Sequence, residues 1–195
     1  MEEMLEFRLH GRGGQGIVVA ASIFAEAVFL DGYYARAFSL FGAERRGAPV
    51  TAFIRVSRDR LMPRSRIYEP DYVVVFDSSL AAETTVAGLK ESGTLLLNTA
   101  ETADSGSFLS ETRSGQYKIF AVDATEIAWK YGLTIGSFPM VNTVMLGAMA
   151  SLSGLASQDS LFASVRKRVT ASIDANISAV GDGYASVKEV QRLVT

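Results

Sequence analysis

The chain has 195 residues, 48% apolar and 21% charged, with a net charge of −2. That balance fits one folded domain with a well-buried core and excludes extensive disorder. With no cysteine and one histidine, the chain lacks the ligands for disulfides, thiolate-held iron–sulfur clusters and Cys-type zinc sites, and a His-based metal site or a Ser-His-Asp triad is hard to build.

In chain order, the acidic start Met1-Glu2-Glu3-Met4 is unlike a secretory leader. Leu5, Phe7 and Leu9 then alternate with Glu6, Arg8 and His10, the period of a half-covered strand. A glycine loop follows at once. Residues 15–30 predict a largely buried helix stopped by Asp31-Gly32, and residues 33–39 a second strand, giving a βαβ start. Further strands are expected at 50–56, 72–76, 94–98 and 117–122. The run Tyr72-Val73-Val74-Val75-Phe76 is continuously apolar, as a central strand buried on both faces should be. Helices are expected at 80–91, 125–131, 141–151, 159–169 and in the tail from Tyr184, with loops at 63–70 and 103–115. The longest apolar stretch, 138–152, carries Asn142 and Thr143 and is too short to span a bilayer. These features predict a soluble cytoplasmic protein with no membrane or nucleic-acid partner. Its fold class is α/β, one three-layer domain over residues 1–195 with a mostly parallel sheet.

The loop Gly11-Arg12-Gly13-Gly14-Gln15-Gly16 has the spacing G-x-G-x-x-G between a strand and a helix. Such a loop turns sharply, lets a ligand approach the backbone, and presents the N–H groups of a helix terminus to an anion. The dinucleotide fingerprint also needs an acid at the end of the second strand. Ser39 and Leu40 stand there, Asp31 precedes the strand and Glu44 follows it. The alternative is a tight turn kept glycine-rich for packing or for close approach of another subunit. Between Arg36 and Arg66 eight arginines face only two acids, which suits fixed pairing with carboxylates or phosphates and equally a solvated face. His10 is read as satisfying a backbone group, Trp129 and Tyr131 as core, and Met140, Met145 and Met149 as helical core packing.

His10-Gly11-Arg12-Gly13-Gly14-Gln15-Gly16 with its Ala-rich helix resembles the opening of the γ subunits of 2-oxoacid:ferredoxin oxidoreductases. Phe41-Gly42-Ala43-Glu44-Arg45-Arg46-Gly47-Ala48-Pro49-Val50 is similar to the family's second signature, in the pyruvate-type form. Weaker echoes are Pro70-Asp71, Asn142-Thr143-Val144-Met145-Leu146-Gly147-Ala148 and the region 176–181. Ala48 stands where many relatives carry a second glycine, which leaves the 2-oxoacid open. The resemblance implies a Rossmann-like domain, non-catalytic and inactive alone, in a complex that converts pyruvate, coenzyme A and oxidised ferredoxin to acetyl-CoA, carbon dioxide and reduced ferredoxin, reversibly. The complex would use thiamine diphosphate, Mg2+ and iron–sulfur clusters, none held by this chain. Its partners would be α, β and ferredoxin-like δ subunits, with ferredoxin engaged through the complex. Gly11, Arg12, Gly13, Gly14, Gln15 and Gly16 are then candidates for a phosphate, coenzyme A or subunit contact. Phe41, Gly42, Glu44, Arg45, Arg46 and Gly47 are candidates for a partner interface, by their mix of aromatic, charged and small residues. No residue is assigned a catalytic or metal role. Competing readings are a free-standing dinucleotide-binding oxidoreductase and a small α/β ligand-binding module.

Overall fold

The computed structural model describes residues 4–39, 46–59, 63, 65–100 and 117–190. Among these residues the centre is a seven-stranded sheet ordered β2-β3-β1-β4-β5-β6-β9. The strands are β1 (Leu5–Arg12), β2 (Tyr34–Ser39), β3 (Pro49–Ser57), β4 (Tyr72–Val75), β5 (Thr94–Asn98), β6 (Lys118–Val122) and β9 (Lys188–Glu189). The strands β1, β4, β5 and β6 pair in parallel, while β3 runs against both β1 and β2, and β9 against β6. Five of the seven therefore point one way, and the sheet is mostly parallel as expected.

The βαβ start is present, with a strand inserted into it. The helix α1 (Ile17–Leu30) does carry the chain from β1 to a parallel β2. However, β3 lies between them, paired to β1 from Leu5↔Val56 to Arg12↔Pro49. The end of β2 is thus one strand removed from the glycine loop.

Burial explains the strand pattern. Phe7 and Leu9 of β1, Ala52, Ile54 and Val56 of β3 and Val74 of β4 pack under α1 through Ile17, Ala20, Ile23, Phe24 and Val28. The same face carries α3 (Ala124–Lys130), α4 (Asn142–Ser153), α5 (Gln158–Arg168) and α6 (Ile173–Ala185). On the opposite face Val73, Val75, Leu95, Leu97 and Ile119 bury Ala82 of the short α2 (Ala82–Val86). The polar alternates of β1 face this second side, and they are covered too. Arg8, 6% exposed, donates to the carbonyls of Tyr68, Thr85 and Ala87. Arg55, 3% exposed, pairs with Glu6 at 2.6 Å and donates to the carbonyls of Pro63 and Ser65. Two guanidiniums therefore hold the irregular β3–β4 connection where a helix would otherwise supply the third layer, each charge satisfied by several acceptors.

The helix expected over 80–91 is confined to Ala82–Val86, and Arg8 donates to the carbonyls of Thr85 in its last turn and of Ala87 just past it. The helix expected from Tyr184 lies upstream as α6, and β9 follows it. Small residues hide α6 from propensity reasoning. A Cβ on Gly147 would lie 2.0 Å from the Val180 carbonyl oxygen, and one on Gly183 would lie 2.1 Å from that of Val144. Only paired glycines let α4 and α6 approach this closely. Buried Thr143 also donates to Asn176 Oδ1 at 2.9 Å. The weak echoes at 142–148 and 176–181 thus form one helix–helix contact.

Met145 and Met149 are core as expected, and Met140 and Tyr131 pack partly buried against it, the Tyr131 hydroxyl donating to Asp182 at 2.8 Å, but Trp129 is 51% exposed. Burial is decided by which side of α3 meets the sheet, not by side-chain size. A hairpin of β7 (Thr134–Ile135) and β8 (Phe138–Pro139) was not expected. The loop expectation at 103–115 falls outside the described residues.

Candidate functional site

The carboxyl ends of β1, β4, β5 and β6 open into a cavity of about 710 Å³. The chain leaves β1 over one face through α1 and leaves β4 over the other through α2, so the two strands part at a switch point, where open α/β sheets bind ligands. One wall is the glycine loop with Arg46 and Gly47. The floor is Phe76, Asp77, Asn98 and Thr99, and the far wall is Asp123, Thr125 and the hairpin residues Ile135, Phe138 and Pro139.

The two sequence motifs meet here. Gly13 N donates to Ala48 O at 2.8 Å and Gly47 N to Gly13 O at 3.0 Å. Inside the loop, Arg12 N donates to Gln15 Oε1 at 2.7 Å and Gln15 N to Arg12 O at 3.1 Å. Several loop donors are therefore satisfied internally, which fixes the turn. Gly16 caps α1 in the left-handed region at φ 74°, and a Cβ there would sit 2.7 Å from Asn142 Nδ2. A side chain at that position would push the start of α4 off the start of α1. The first N–H groups of α1 have no partner within the helix and give this end a positive potential.

Arg12 is a clamp. Its Nε bonds Asp77 Oδ2 at 2.9 Å, one Nη bonds Gly47 O at 3.2 Å and the other Ser79 Oγ at 2.8 Å. Burial alone would raise the Asp77 carboxyl, but hydrogen bonds from Ser79 and the Arg12 charge outweigh it and hold it below its ordinary range. Arg46, by contrast, has no carboxylate partner among the described residues. Its guanidinium carbon lies 5.4 Å from the Phe138 ring centroid, across the cavity mouth. The two basic side chains of the lining thus differ, Arg12 bonded to three partners of the fold and Arg46 lying over an aromatic ring.

Asn98 Nδ2 donates to Phe76 O at 2.9 Å, and its Oδ1 accepts from Thr125 N at 3.2 Å. That amide locks the ends of β4 and β5 to the start of α3. Asp123 is the α3 cap, accepting from Glu126 N at 2.8 Å. Asp77, Asn98 and Asp123 were missed in the sequence, although each is the first polar residue after an apolar strand and so marks a carboxyl end.

His10 satisfies a guanidinium and not the expected backbone group, with Nε2 accepting from Arg8 Nε at 3.0 Å. Burial, then the charges of Arg8 and Arg66, push its pKa down to about 3. The arginine-rich stretch is dispersed, with Arg55 paired to Glu6, Arg46 over Phe138, Arg58 over Tyr33 and Arg66 over Tyr68. Phe41, Gly42, Glu44 and Arg45 lie outside the described residues. Among the described residues, no group of three or more His, Asp or Glu side chains could hold a metal ion, and no helix is long and apolar enough to cross a membrane.

Among the described residues, the geometry as well as the sequence disfavours a resident dinucleotide. With β3 inserted, the strand beside β1 begins at Pro49 instead of ending in a ribose-binding acid. The turn 46–48 covers that side of the glycine loop.

The family model for pyruvate ferredoxin/flavodoxin oxidoreductase matches residues 6–186. The chain is 48% identical to pyruvate synthase subunit PorC of Methanothermobacter marburgensis over 95% of this chain and 98% of that one. It is 43% identical to the common γ subunit of the pyruvate and ketoisovalerate oxidoreductases of Pyrococcus furiosus, over 93% and 96%. Among solved structures, pyruvate oxidoreductase subunit PORC of Thermotoga maritima superposes with a TM-score of 0.82 at 36% identity, covering 97% of this chain and 99% of that one. The 2-oxoglutarate:ferredoxin oxidoreductase of Magnetococcus marinus, solved with coenzyme A and succinyl-CoA bound, shares the fold at a TM-score of 0.74 and 21% identity. The match covers 95% of this chain and 31% of that one.

Proposed function

Because the chain belongs to the pyruvate ferredoxin/flavodoxin oxidoreductase family, we propose that it is the non-catalytic γ subunit of a thiamine-dependent pyruvate:ferredoxin oxidoreductase and that its cavity borders the coenzyme A site. The complex would join the acyl group of pyruvate to coenzyme A, release carbon dioxide and pass electrons to ferredoxin. Thiamine diphosphate with Mg2+ would supply the acyl chemistry and iron–sulfur clusters the electron path, both in α, β and ferredoxin-like δ subunits. With no cysteine, this chain offers a cluster no thiolate. In this reading residues 1–195 act as one γ domain of a cytoplasmic complex, and the isolated chain does not turn over pyruvate.

The observation that carries the reading is the junction of the two motifs, where the positive end of α1 and the uncommitted Arg46 share one cavity mouth. Coenzyme A is the anion to test first, since a fold relative was solved with it bound. Its pyrophosphate and 3′-phosphate suit a cation beside a helix N-terminus. A free-standing α/β binding module is disfavoured by family membership over nearly the whole chain. The γ subunit of the Pyrococcus furiosus relative is common to two oxidoreductases, which supports leaving the choice of 2-oxoacid to the other subunits.

The test is Arg46→Ala in the assembled complex. Loss of one hydrogen bond to a charged group costs about 1.5–3 kcal/mol, which should raise the KM for coenzyme A roughly ten- to hundredfold and leave that for pyruvate unchanged. Unchanged coenzyme A kinetics with assembly intact would remove Arg46 from the site. Loss of α and β subunits on co-purification would turn the same residue into a partner contact.

A further inference from the structure

We propose that the β7–β8 hairpin is a stacking platform for the nucleobase of the ligand, with the Phe138 ring as its flat surface and Arg46 as its cationic edge. The inference rests on the reading that the cavity takes a nucleotide-bearing thiol.

Phe138 is 62% exposed and Ile135 is 53% exposed, although both lie in a short hairpin beside a well-packed helical layer. Burying either would release apolar surface from water, so their exposure at the rim of a cavity is the feature to explain. The hairpin is held in place. Thr134 and Ile135 pair with Pro139 and Phe138, and Met140 N donates to Leu133 O at 2.8 Å, just before buried Val141 and α4. Phe138 is therefore presented on a fixed strand and not on a loose loop.

Arg46 reaches it from the opposite wall, its guanidinium carbon 5.4 Å from the ring centroid. That turn is itself tied to the glycine loop through Gly47 and Ala48. A planar cation already lies over the ring, and a purine, a larger planar partner, would take its place there with Arg46 turned to the phosphate. A nucleoside 3′-phosphate seated there would place its base on Phe138 and its charge near Arg46, while the chain of the ligand runs over the floor at Asn98 and Thr99. Aromatic stacking recognises the base without hydrogen-bond readout, so the platform contributes affinity for the nucleotide end and none for the thiol end.

The experiment uses the assembled complex with Phe138→Ala and Phe138→Trp. The readouts are the ratio of KM for pantetheine to KM for coenzyme A, and calorimetric binding of adenosine 3′,5′-bisphosphate. The expected result is a preference for coenzyme A in the parent that falls about tenfold or more in Phe138→Ala and is retained in Phe138→Trp, with bisphosphate affinity moving in parallel. A parent preference that survives Phe138→Ala unchanged overturns the platform and leaves the cavity reading standing. Absence of any preference or bisphosphate binding in the parent overturns the cavity reading and the platform with it. Dissociation of Phe138→Ala complexes on gel filtration makes the ring a subunit contact and also overturns the proposal.

Discussion

The only histidine of the chain makes one electrostatic claim unusually testable. His10 Nε2 accepts a hydrogen bond from Arg8 Nε, so a proton on that nitrogen would set two donors, and two cations, against each other. Burial adds to the penalty, and the imidazole is held neutral down to about pH 3. The folded pKa thus lies below the unfolded value of about 6.5. Stability from this group is fully present above about pH 6.5 and is lost as pH falls toward the folded pKa, because the unfolded chain takes up a proton that the native chain refuses. The loss approaches about 1.4 kcal/mol per pH unit, or about 2 kcal/mol at pH 5 relative to neutral pH. Carboxylates titrate mostly below that window, so the slope between pH 7 and 5 belongs to His10. Urea unfolding of the purified chain should show it, and His10→Gln, which keeps an acceptor without titrating, should flatten it. An imidazole proton resonance should also fail to titrate above pH 5 in the native chain. Equal slopes in parent and variant, or a native titration near pH 6.5, would refute the Arg8–His10 geometry.

Two further outcomes follow from the packing. Gly183→Ala places a methyl 2.1 Å from the Val144 carbonyl oxygen, forcing α4 and α6 apart. The cost is about 1–3 kcal/mol, seen as a melting midpoint lower by roughly 2–10 °C, and an unchanged midpoint would mean that the helices do not meet there. Arg12→Ala removes the bonds to Asp77, Ser79 and Gly47. It should cost about 1–2 kcal/mol in unfolding free energy, reduced by partial exposure, while raising the KM for coenzyme A less than Arg46→Ala does. The reverse order of KM effects would reinstate Arg12 as the ligand cation.

Periodicity was sufficient for β1, α1 and the central strands, because their apolar faces are set by burial against one layer. It was insufficient for α6, whose run Ala179-Val180-Gly181-Asp182-Gly183 has poor helix propensity and packs where Gly183 meets Val144 and the Val180 backbone meets Gly147. The second face of the sheet was equally hidden. Alternation at Glu6, Arg8 and His10 reads as a solvated side, yet backbone carbonyls from residues 63–87 cover Arg8 and Arg55 there. Partners so distant in sequence leave no local pattern.

For the site, the sequence located both motifs and not their joint. The G-x-G-x-x-G spacing drew attention to Arg12 because it is the charged residue inside the loop, but position in a motif says nothing about where a side chain spends its donors. Asp77 lies 65 residues further on, and its carboxylate, together with Ser79, takes up donors of Arg12. Arg46, with no carboxylate partner among the described residues, lies over the Phe138 ring. A cation bonded to its own protein must break those bonds before it can serve an anion, whereas one resting on an aromatic face loses about 0.5–1 kcal/mol at an exposed position. On the proposed reading, that difference gives binding to Arg46 and loop rigidity to Arg12, in two signatures joined through Gly13, Gly47 and Ala48. One motif shapes the turn, and the other brings the charge to it.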